Sequence, residues 1–186
     1  DDAVTMMKPN YDNYCFSENK LADCMFNSDM VLYCMKSLIL HGVKPKEIVD
    51  PNIRTDFNKL AYLVRLDHGL GENFSVIKEV AEKGEIITEI VTHFSALEMT
   101  DVSNFRSLLF YFGLLSIKGV DMMGRPILHV PNLVVREQLF NFLIQGYARH
   151  EIFKLDVNRL LTLFENMSFK GEWKPLFEFV AEAIRE

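Results

Sequence analysis

Apolar side chains recur at intervals of three and four residues along most of the chain, the spacing typical of amphipathic helices. This pattern predicts helices through the apolar positions of 30–40, 57–64, 74–81, 105–112, 135–143, 156–167 and from about 172 to the end. The helix at 30–40 is apolar almost all round, so we expect it to be largely buried.

Capping residues and glycines bound these predicted helices. The residues placed to start them are Asn27 or Ser28, Thr55, Asp101 or Ser103, and the pair Pro131-Asn132. Such side chains accept hydrogen bonds from the free N–H groups of a first turn. Gly42, Gly84 and Gly113 are placed to end helices, because glycine takes the left-handed conformation that follows a last turn.

Runs of β-branched residues predict a few short strands. One strand is predicted over 85–92, and strands over 114–118 and 126–130 form a β-hairpin around the loop 119–125. In the first 27 residues, aromatic side chains alternate with polar ones around a polar loop. This arrangement predicts two short extended pieces there.

The order of the elements predicts the fold class. Residues 73–130 give helix, strand, a short helical or irregular piece, helix, strand, loop and strand, the order of a winged-helix unit. We therefore expect a mainly α fold with a small β-hairpin sheet, winged-helix-like at its centre and flanked by extra helices. The corresponding domains are a helical segment over 1–72, a winged-helix-like domain over 73–150 and a C-terminal helical linker over 151–186.

Charge and cysteine content narrow the protein class. Twenty Lys and Arg against 26 Asp and Glu leave a net charge of −6, which disfavours a broad surface for coating nucleic acid. Cys15, Cys24 and Cys34 are odd in number and widely spaced, so reduced thiols in a cytosol are expected rather than a disulfide framework. No apolar run reaches the ~18–20 residues of a membrane span, and no signal peptide is recognisable. We expect a cytoplasmic protein.

The C-terminal pattern suggests a piece of a longer polypeptide. Apolar positions at helical spacing continue to the last residues and meet no stop signal, namely Trp173, Leu176, Phe177, Val180 and Ile184. We expect the chain to be an excised segment.

No catalytic, cofactor-binding or metal-binding residue is assigned from the sequence. Nothing matches a phosphate-binding loop, and Gly69 and Gly71 fit a turn better than a nucleotide loop. Glu18-Asn19-Lys20 with Asp12 upstream has the letters of a metal-dependent nuclease but lacks a buried strand, so a solvated loop is favoured. The five histidines are scattered singly rather than paired at ligand spacing.

Nucleic-acid binding by the winged-helix-like centre is an alternative. Arg106 lies in the predicted recognition helix, and Lys118 and Arg125 lie in the hairpin. One arginine among aromatic and aliphatic residues is a poor reader of base edges. Packing of this helix against a neighbouring domain is therefore favoured over DNA binding.

Several segments resemble the AAA-ATPase-like family that is abundant in Bacteroidetes. The resemblance is carried by 11–16 with 25–33, by 50–56, and by 108–117 with 129–132, in matching order over nearly the whole chain. The family-motif residues are Tyr11, Asp12, Tyr14, Phe16, Asn27, Gly113, Pro131 and Asn132. Two departures are Asn13, where the family pattern has Gly, and Ser28-Asp29, which replace a Pro-containing pair.

The resemblance implies a place between two catalytic-type domains. Family members carry an N-terminal P-loop ATPase-like domain and a C-terminal domain similar to PD-(D/E)xK nucleases. This chain resembles the middle region only, and residues 1–72 would include the end of the ATPase-like region. ATP and Mg²⁺ are implied for the parent protein and no cofactor for this segment.

The expected function is a non-catalytic lid and linker, not an independent enzyme. Its expected partners are the neighbouring domains of its own parent chain, with a homo-oligomer as a further expectation and no membrane. The alternatives are a winged-helix DNA-binding module and a protein–protein interaction module that dimerises through the helices of 132–186.

Overall fold

Helices account for most of the chain in the computed structural model, which describes residues 2–48, 60–62, 64, 71–150 and 156–185. The helices are α1 (Asp2–Tyr11), α2 (Ser28–His41), α3 (Glu72–Lys83), α4 (Val102–Tyr111), α5 (Leu133–Arg149), α6 (Val157–Lys170) and α7 (Lys174–Arg185). The strands are β1 (Glu85–Ile87), β2 (Ser116–Val120) and β3 (Pro126–His129). The predicted mainly helical fold with a small antiparallel sheet is confirmed.

The sheet has the strand order β1–β3–β2, and both pairs are antiparallel. His129 of β3 lies opposite Glu85 on one side and Ser116 on the other. The β2–β3 loop is held by Asp121, whose carboxylate accepts from the backbone N–H groups of Met123 and Arg125. The predicted hairpin is therefore present, with β2 starting two residues later than expected.

Two compact units divide the chain, Asp1–Phe142 (unit 1) and Leu143–Glu186 (unit 2). In unit 1, α3 packs against β1 and α4. Fully buried side chains lie there on α3, α4, just before β2, on β3 and on the first half of α5, namely Ile77, Val80, Phe105, Leu109, Leu115, Leu128 and Leu139. This apolar layer is the main core of unit 1.

A second apolar cluster joins α1, α2 and the start of α5. Its buried members are Met7, Tyr11, Met30, Cys34 and Val134. Asn27 caps α2 by accepting from the Met30 N–H at 3.1 Å, and Gly42 ends the helix with a φ of 70°. Both ends of α2 agree with the sequence prediction because caps are local signals.

The predicted burial of α2 is wrong. Only Met30 and Cys34 are buried, whereas Leu32, Ile39 and Leu40 are more than half exposed. Helix α2 contacts α1 and Val134 on one side, so its remaining apolar positions lie at the surface. The helix at 28–41 is thus half buried instead of enclosed.

The prediction of two extended pieces in the first 27 residues is wrong for 2–11, which form α1. Extended pairing is limited to a single antiparallel bridge between Tyr14 and Met25, on either side of a polar loop. The strand predicted over 85–92 is likewise shorter, because its partner β3 begins at Pro126. Thr88 makes the last bond to that strand, from its N–H to the Pro126 carbonyl.

The predicted caps at Thr55 and the turn at Gly69 lie outside the described residues, and residues 60–62 and 64 are helical. In unit 2, α6 and α7 contact each other, and Leu176 and Phe179 are buried. The Arg159 guanidinium stacks on the Phe179 ring with 4.9 Å from Cζ to the centroid. None of the described helices is long and apolar enough to cross a membrane.

Candidate functional site

The family-motif residues come together in unit 1, although they are spread over 120 positions of the chain. We call Tyr11, Asp12, Tyr14, Asn27 and Asn132 the motif junction. The Asn27 N–H donates to the Tyr11 carbonyl at 2.8 Å, and the Asn132 amide donates to the Asp12 carbonyl at 3.1 Å. Both asparagine side chains lie near enough to Tyr14 to lower the pKa of its hydroxyl against the effect of burial. Three segments of unit 1 are therefore tied together by polar groups.

Aromatic packing continues from the junction to α4. Tyr14 stacks on Phe16 with ring centroids 6.3 Å apart, and Phe16 contacts Phe110 at 5.9 Å. Gly113 turns the chain with a φ of 70°, and a Cβ there would lie 3.6 Å from the Tyr14 ring. Pro131 is buried just before α5. Phe16 and Gly113 thus lie beside the Tyr14 ring.

Burial shifts the pKa values of the two tyrosines in the motif junction. Burial raises the pKa of Tyr11 to about 12, and the neighbouring Cys34 adds to the effect. Burial also raises the pKa of Tyr14, against the hydrogen bonds from Asn132 and Asn27. The Tyr11 hydroxyl donates to the Ile48 carbonyl at 2.8 Å, a contact that suits a structural role.

Ser116 belongs to the same region and was not singled out from the sequence. Its hydroxyl accepts from the Cys15 N–H at 2.7 Å and donates to the Asn13 carbonyl at 2.8 Å. The Ile117 N–H donates to the Cys15 carbonyl at 3.0 Å. The segment 13–15 therefore lies along the outer edge of β2, and only the three-dimensional fold shows this contact.

The three predicted nucleic-acid contacts are each paired with an acidic side chain. Arg106 lies 3.7 Å from Glu79, and Lys118 lies 2.6 Å from Glu85. At the hairpin loop, the Arg125 guanidinium lies 2.8 Å from the Asp121 carboxylate.

The pKa of each acidic partner is lowered. For Glu85 the main cause is the Lys118 hydrogen bond, and for Asp121 it is the bond from the Arg125 backbone. For Glu79 the larger contribution comes from Lys83, and Arg106 adds to it. A phosphate would have to compete with these carboxylates for each cation.

The Glu18-Asn19-Lys20 triplet, which has the letters of a metal-dependent nuclease site, lies at the surface. Glu18–Lys20 form an exposed 3-10 turn, which confirms the predicted solvated loop. Across the described ranges, no group of three His, Cys, Asp or Glu side chains could hold a metal ion. The Asp12 side chain is 7% exposed, and its Oδ1 has no hydrogen-bond partner among the described residues.

Two apolar stripes are exposed on helices. The α2 stripe consists of Leu32, Met35 and Ile39, and the α7 stripe of Trp173, Phe177, Val180 and Ile184. Both follow helical spacing, so each set lies along one side of its helix. In α7 the stripe adjoins the face that buries Leu176 and Phe179, and Phe177 and Ile184 are 61% and 76% exposed. Apolar stripes of this kind are typical of interaction surfaces.

The chain was compared with family models, curated proteins and solved structures, and none of the three comparisons gave a match. The AAA-ATPase-like resemblance stays a prediction that rests on the residues quoted above.

Proposed function

We propose that this chain is the non-catalytic lid and linker module of an AAA-ATPase-like protein. It would lie between a nucleotide-binding domain and a nuclease-like domain and pack against them. The α7 stripe carries the proposal, because α7 has two adjoining apolar faces and buries only one of them. Covering the second face on a neighbouring domain would remove the remaining apolar surface from water.

The centre of unit 1 supports a winged-helix-like form for this module. Helix α3, strand β1, the 3-10 turn at Ala96–Glu98, helix α4 and the β2–β3 hairpin follow in the expected order. The sheet order β1–β3–β2 places the first strand beside the last. The 3-10 turn stands where a short helical or irregular piece is expected, so the likeness concerns element order and strand pairing.

Asn13 supports the family resemblance on physical grounds. It has a φ of 73°, and no other non-glycine residue among those described has a positive φ. Glycine takes this conformation without strain, and asparagine tolerates it better than most residues. A family pattern with Gly at this position is what the backbone of the motif junction requires.

The motif junction also fits a structural role for the family-motif residues. Its hydrogen bonds run from the Asn27 N–H and the Asn132 amide to the backbone carbonyls of Tyr11 and Asp12. These groups fix the arrangement of the first segment, α2 and α5. The family motif would then specify a fold element rather than a catalytic centre.

Nucleotide binding tests the proposal directly. Titration of Mg-ATP into this chain, followed by calorimetry, is expected to show no saturable heat, whereas the full polypeptide that carries the chain binds. Saturable Mg-ATP binding by these residues alone would overturn the proposal. So would an encoding reading frame without a phosphate-binding loop upstream.

The lid role is tested on the α7 stripe in the full polypeptide. The double variant Phe177→Glu/Ile184→Glu is expected to change the rate of ATP hydrolysis, because charged side chains prevent the stripe from docking. Glu182→Gln, at an exposed polar position of the same helix, is the matched control and is expected to leave the rate unchanged. Equal rates in all three proteins would contradict a role for the stripe.

A dimerisation module is the second candidate, because the same exposed stripe could pair with that of another copy. Light scattering over a concentration series distinguishes the two. A dimer that dissociates on dilution and is lost in Phe177→Glu/Ile184→Glu would favour self-association. A monomer at all concentrations would favour the lid. DNA binding is less well supported, since Arg106, Lys118 and Arg125 are paired with carboxylates.

A further inference from the structure

Two cysteines face each other across the single bridge of the N-terminal loop. Tyr14 and Met25 exchange both backbone hydrogen bonds, at 3.0 and 2.8 Å, so they form a hydrogen-bonded antiparallel pair. Cys15 follows Tyr14 and Cys24 precedes Met25, so they occupy the neighbouring, non-hydrogen-bonded position. Residues in such a position have Cα atoms about 4.5 Å apart and side chains on the same face. A disulfide needs a Cα separation of about 4.4–6.8 Å.

The sulfur atoms lie against the same loop. Cys15 Sγ donates to the Ser17 carbonyl at 3.3 Å and lies 3.5 Å from the Lys20 carbonyl, and Cys24 Sγ lies 3.6 Å from the Leu21 carbonyl. The pKa of Cys24 is raised first by desolvation and then by its electrostatic interactions with Cys15 and Asp12. Cys15 therefore lies close enough to Cys24 to affect its pKa.

Access to solvent differs between the two thiols. Cys24 is exposed, whereas Cys15 is 2% exposed. A dissolved reagent therefore reaches Cys24 first. Cys15 lies behind it, where it can react only with a group that Cys24 already carries.

We propose that Cys15 and Cys24 form a thiol–disulfide exchange site that takes small disulfides of the glutathione type. The Cys24 thiolate attacks one sulfur of the small disulfide and expels one thiolate, which leaves the other half joined to Cys24. Cys15 loses its proton to solvent, attacks Cys24 Sγ and expels the second half. The two cysteines lose two electrons and two protons, and the small disulfide gains both as two thiols.

Closure of this bond would restrain the loop 16–23. The Cys15 S–H would no longer donate to the Ser17 carbonyl, and residues 15 and 24 would be covalently joined beside the motif junction. Phe16 lies at the start of this loop and contacts Phe110 of α4. The redox state of the pair is therefore coupled to the packing of the segment that lies along β2.

The experiment exposes the reduced, native chain to oxidised glutathione, quenches with acid and measures intact mass. The expected result is a loss of two hydrogens with no glutathione retained. Cys15→Ala is expected to keep one glutathione on Cys24, because the resolving thiol is missing. Cys24→Ala is expected to stay unmodified under the same exposure. Circular dichroism checks that each variant is folded.

Cys34→Ala is the matched control, because it also removes a buried cysteine and leaves the proposed pair intact. It is expected to lose two hydrogens as the native chain does. Trypsin cuts after Lys20 and after Lys36, so Cys15 falls on one peptide and both Cys24 and Cys34 on the next. The Cys34→Ala variant therefore assigns the linkage without ambiguity.

The pH dependence gives an independent readout. The thiolate is the attacking form, and the pKa of Cys24 is raised first by desolvation and then by the neighbouring Cys15, Asp12 and Asp23. The oxidation rate is expected to rise as pH rises towards the pKa of Cys24. A stable glutathione adduct on the native chain, a bond that requires Cys34, or no reaction in the native chain would each overturn the proposal.

Discussion

At the scale of single residues, Ser116 connects two segments that are distant in sequence. It is fully buried, and its hydroxyl bonds the backbone of Asn13 and Cys15, which are 103 and 101 residues away. One hydroxyl therefore satisfies the buried Cys15 N–H and also bonds the Asn13 carbonyl.

Ser116→Ala is expected to destabilise the chain strongly for so small a change. Leaving a buried donor or acceptor without a partner costs about 1–3 kcal/mol per group. Chemical denaturation followed by circular dichroism measures the free energy of unfolding. Ser75→Ala, at an exposed position of α3, is the matched control and is expected to be close to neutral. Equal stability of the two variants would contradict the role of Ser116.

Tyr11 makes the stability of the fold sensitive to alkaline pH. Its pKa is raised to about 12 by burial and by Cys34, whereas an unfolded tyrosine titrates at about 10. Above pH ~10 the unfolded chain loses the proton that the folded chain keeps, so the free energy of unfolding falls as pH rises to about 12. Below pH ~10 the contribution is fully present.

Denaturation curves between neutral pH and pH ~12 are expected to show this fall, and Tyr11→Phe is expected to reduce it. Tyr111→Phe removes a hydroxyl that donates to the Val91 carbonyl and leaves Tyr11 and the groups that shift its pKa in place, so it should retain the Tyr11 contribution. An unchanged alkaline slope in Tyr11→Phe would show that the burial of this phenol does not matter.

At the scale of elements, α2 shows that an apolar sequence and a buried helix are different properties. Met30 and Cys34 face α1 and Val134, while the α2 stripe is exposed on the opposite side. Helical spacing identifies which residues share a side. The neighbours on each side come from elements elsewhere in the chain.

Truncation on the two sides of α2 is expected to have unequal effects. Met30 is 3% exposed and Ile39 is 74% exposed. Met30→Ala should lower the free energy of unfolding by roughly 2–5 kcal/mol, as large-to-small changes in a core do. Ile39→Ala should stay within about 0.5 kcal/mol of the native chain. Denaturant titration of both variants checks this, and similar losses would indicate that the exposed side is covered.

Local signals made the elements predictable and left their pairing unpredictable. The Asn27 cap, the Gly42 and Gly84 stops and the hairpin after Gly113 follow from side chains within a few residues of each boundary. Strand β1 stops at Ile87 because β3 begins at Pro126, a limit set by a distant partner. Helix α1 is not predicted from the sequence for the same kind of reason. Met7 and Tyr11 form its buried side because they pack in one cluster with Met30 of α2, and this contact is not visible in the sequence of 2–11.

The candidate site was predictable in its members but not in its contacts. The family-motif residues were identified by resemblance, and the structure places four of them near Tyr14, namely Phe16, Asn27, Gly113 and Asn132. Ser116 is not one of the family-motif residues, and its bond to Cys15 appears only in the structure. Cys15 and Cys24 lie opposite each other because of the register of the Tyr14–Met25 bridge. Widely spaced cysteines give no sign of such a register.

At the scale of the whole molecule, each unit has its own buried side chains. Ile77, Phe105 and Leu128 lie in the core of unit 1, and Leu176 and Phe179 are buried in unit 2. Stability in such chains is often distributed over cooperative segments that open separately. Hydrogen exchange can therefore distinguish the responses of the two units.

Leu176→Ala is expected to lower amide protection in α6 and α7 by the equivalent of roughly 2–5 kcal/mol, because it leaves a cavity. Protection in β2, β3 and α4 is expected to change much less. Hydrogen exchange followed by mass spectrometry measures both regions in one sample. A uniform loss across the chain would show that it unfolds as one cooperative unit.

The backbone bond between Ile117 and Cys15 has a consequence for solubility. Strand β2 is an edge strand of the sheet. The free N–H and C=O groups of an uncovered edge strand can pair with strands of other chains, which leads to aggregation. The segment 13–15 occupies that edge. Deletion of the first 27 residues would therefore expose the edge of β2. We expect this shortened chain to precipitate or bind thioflavin under conditions in which the intact chain remains in solution.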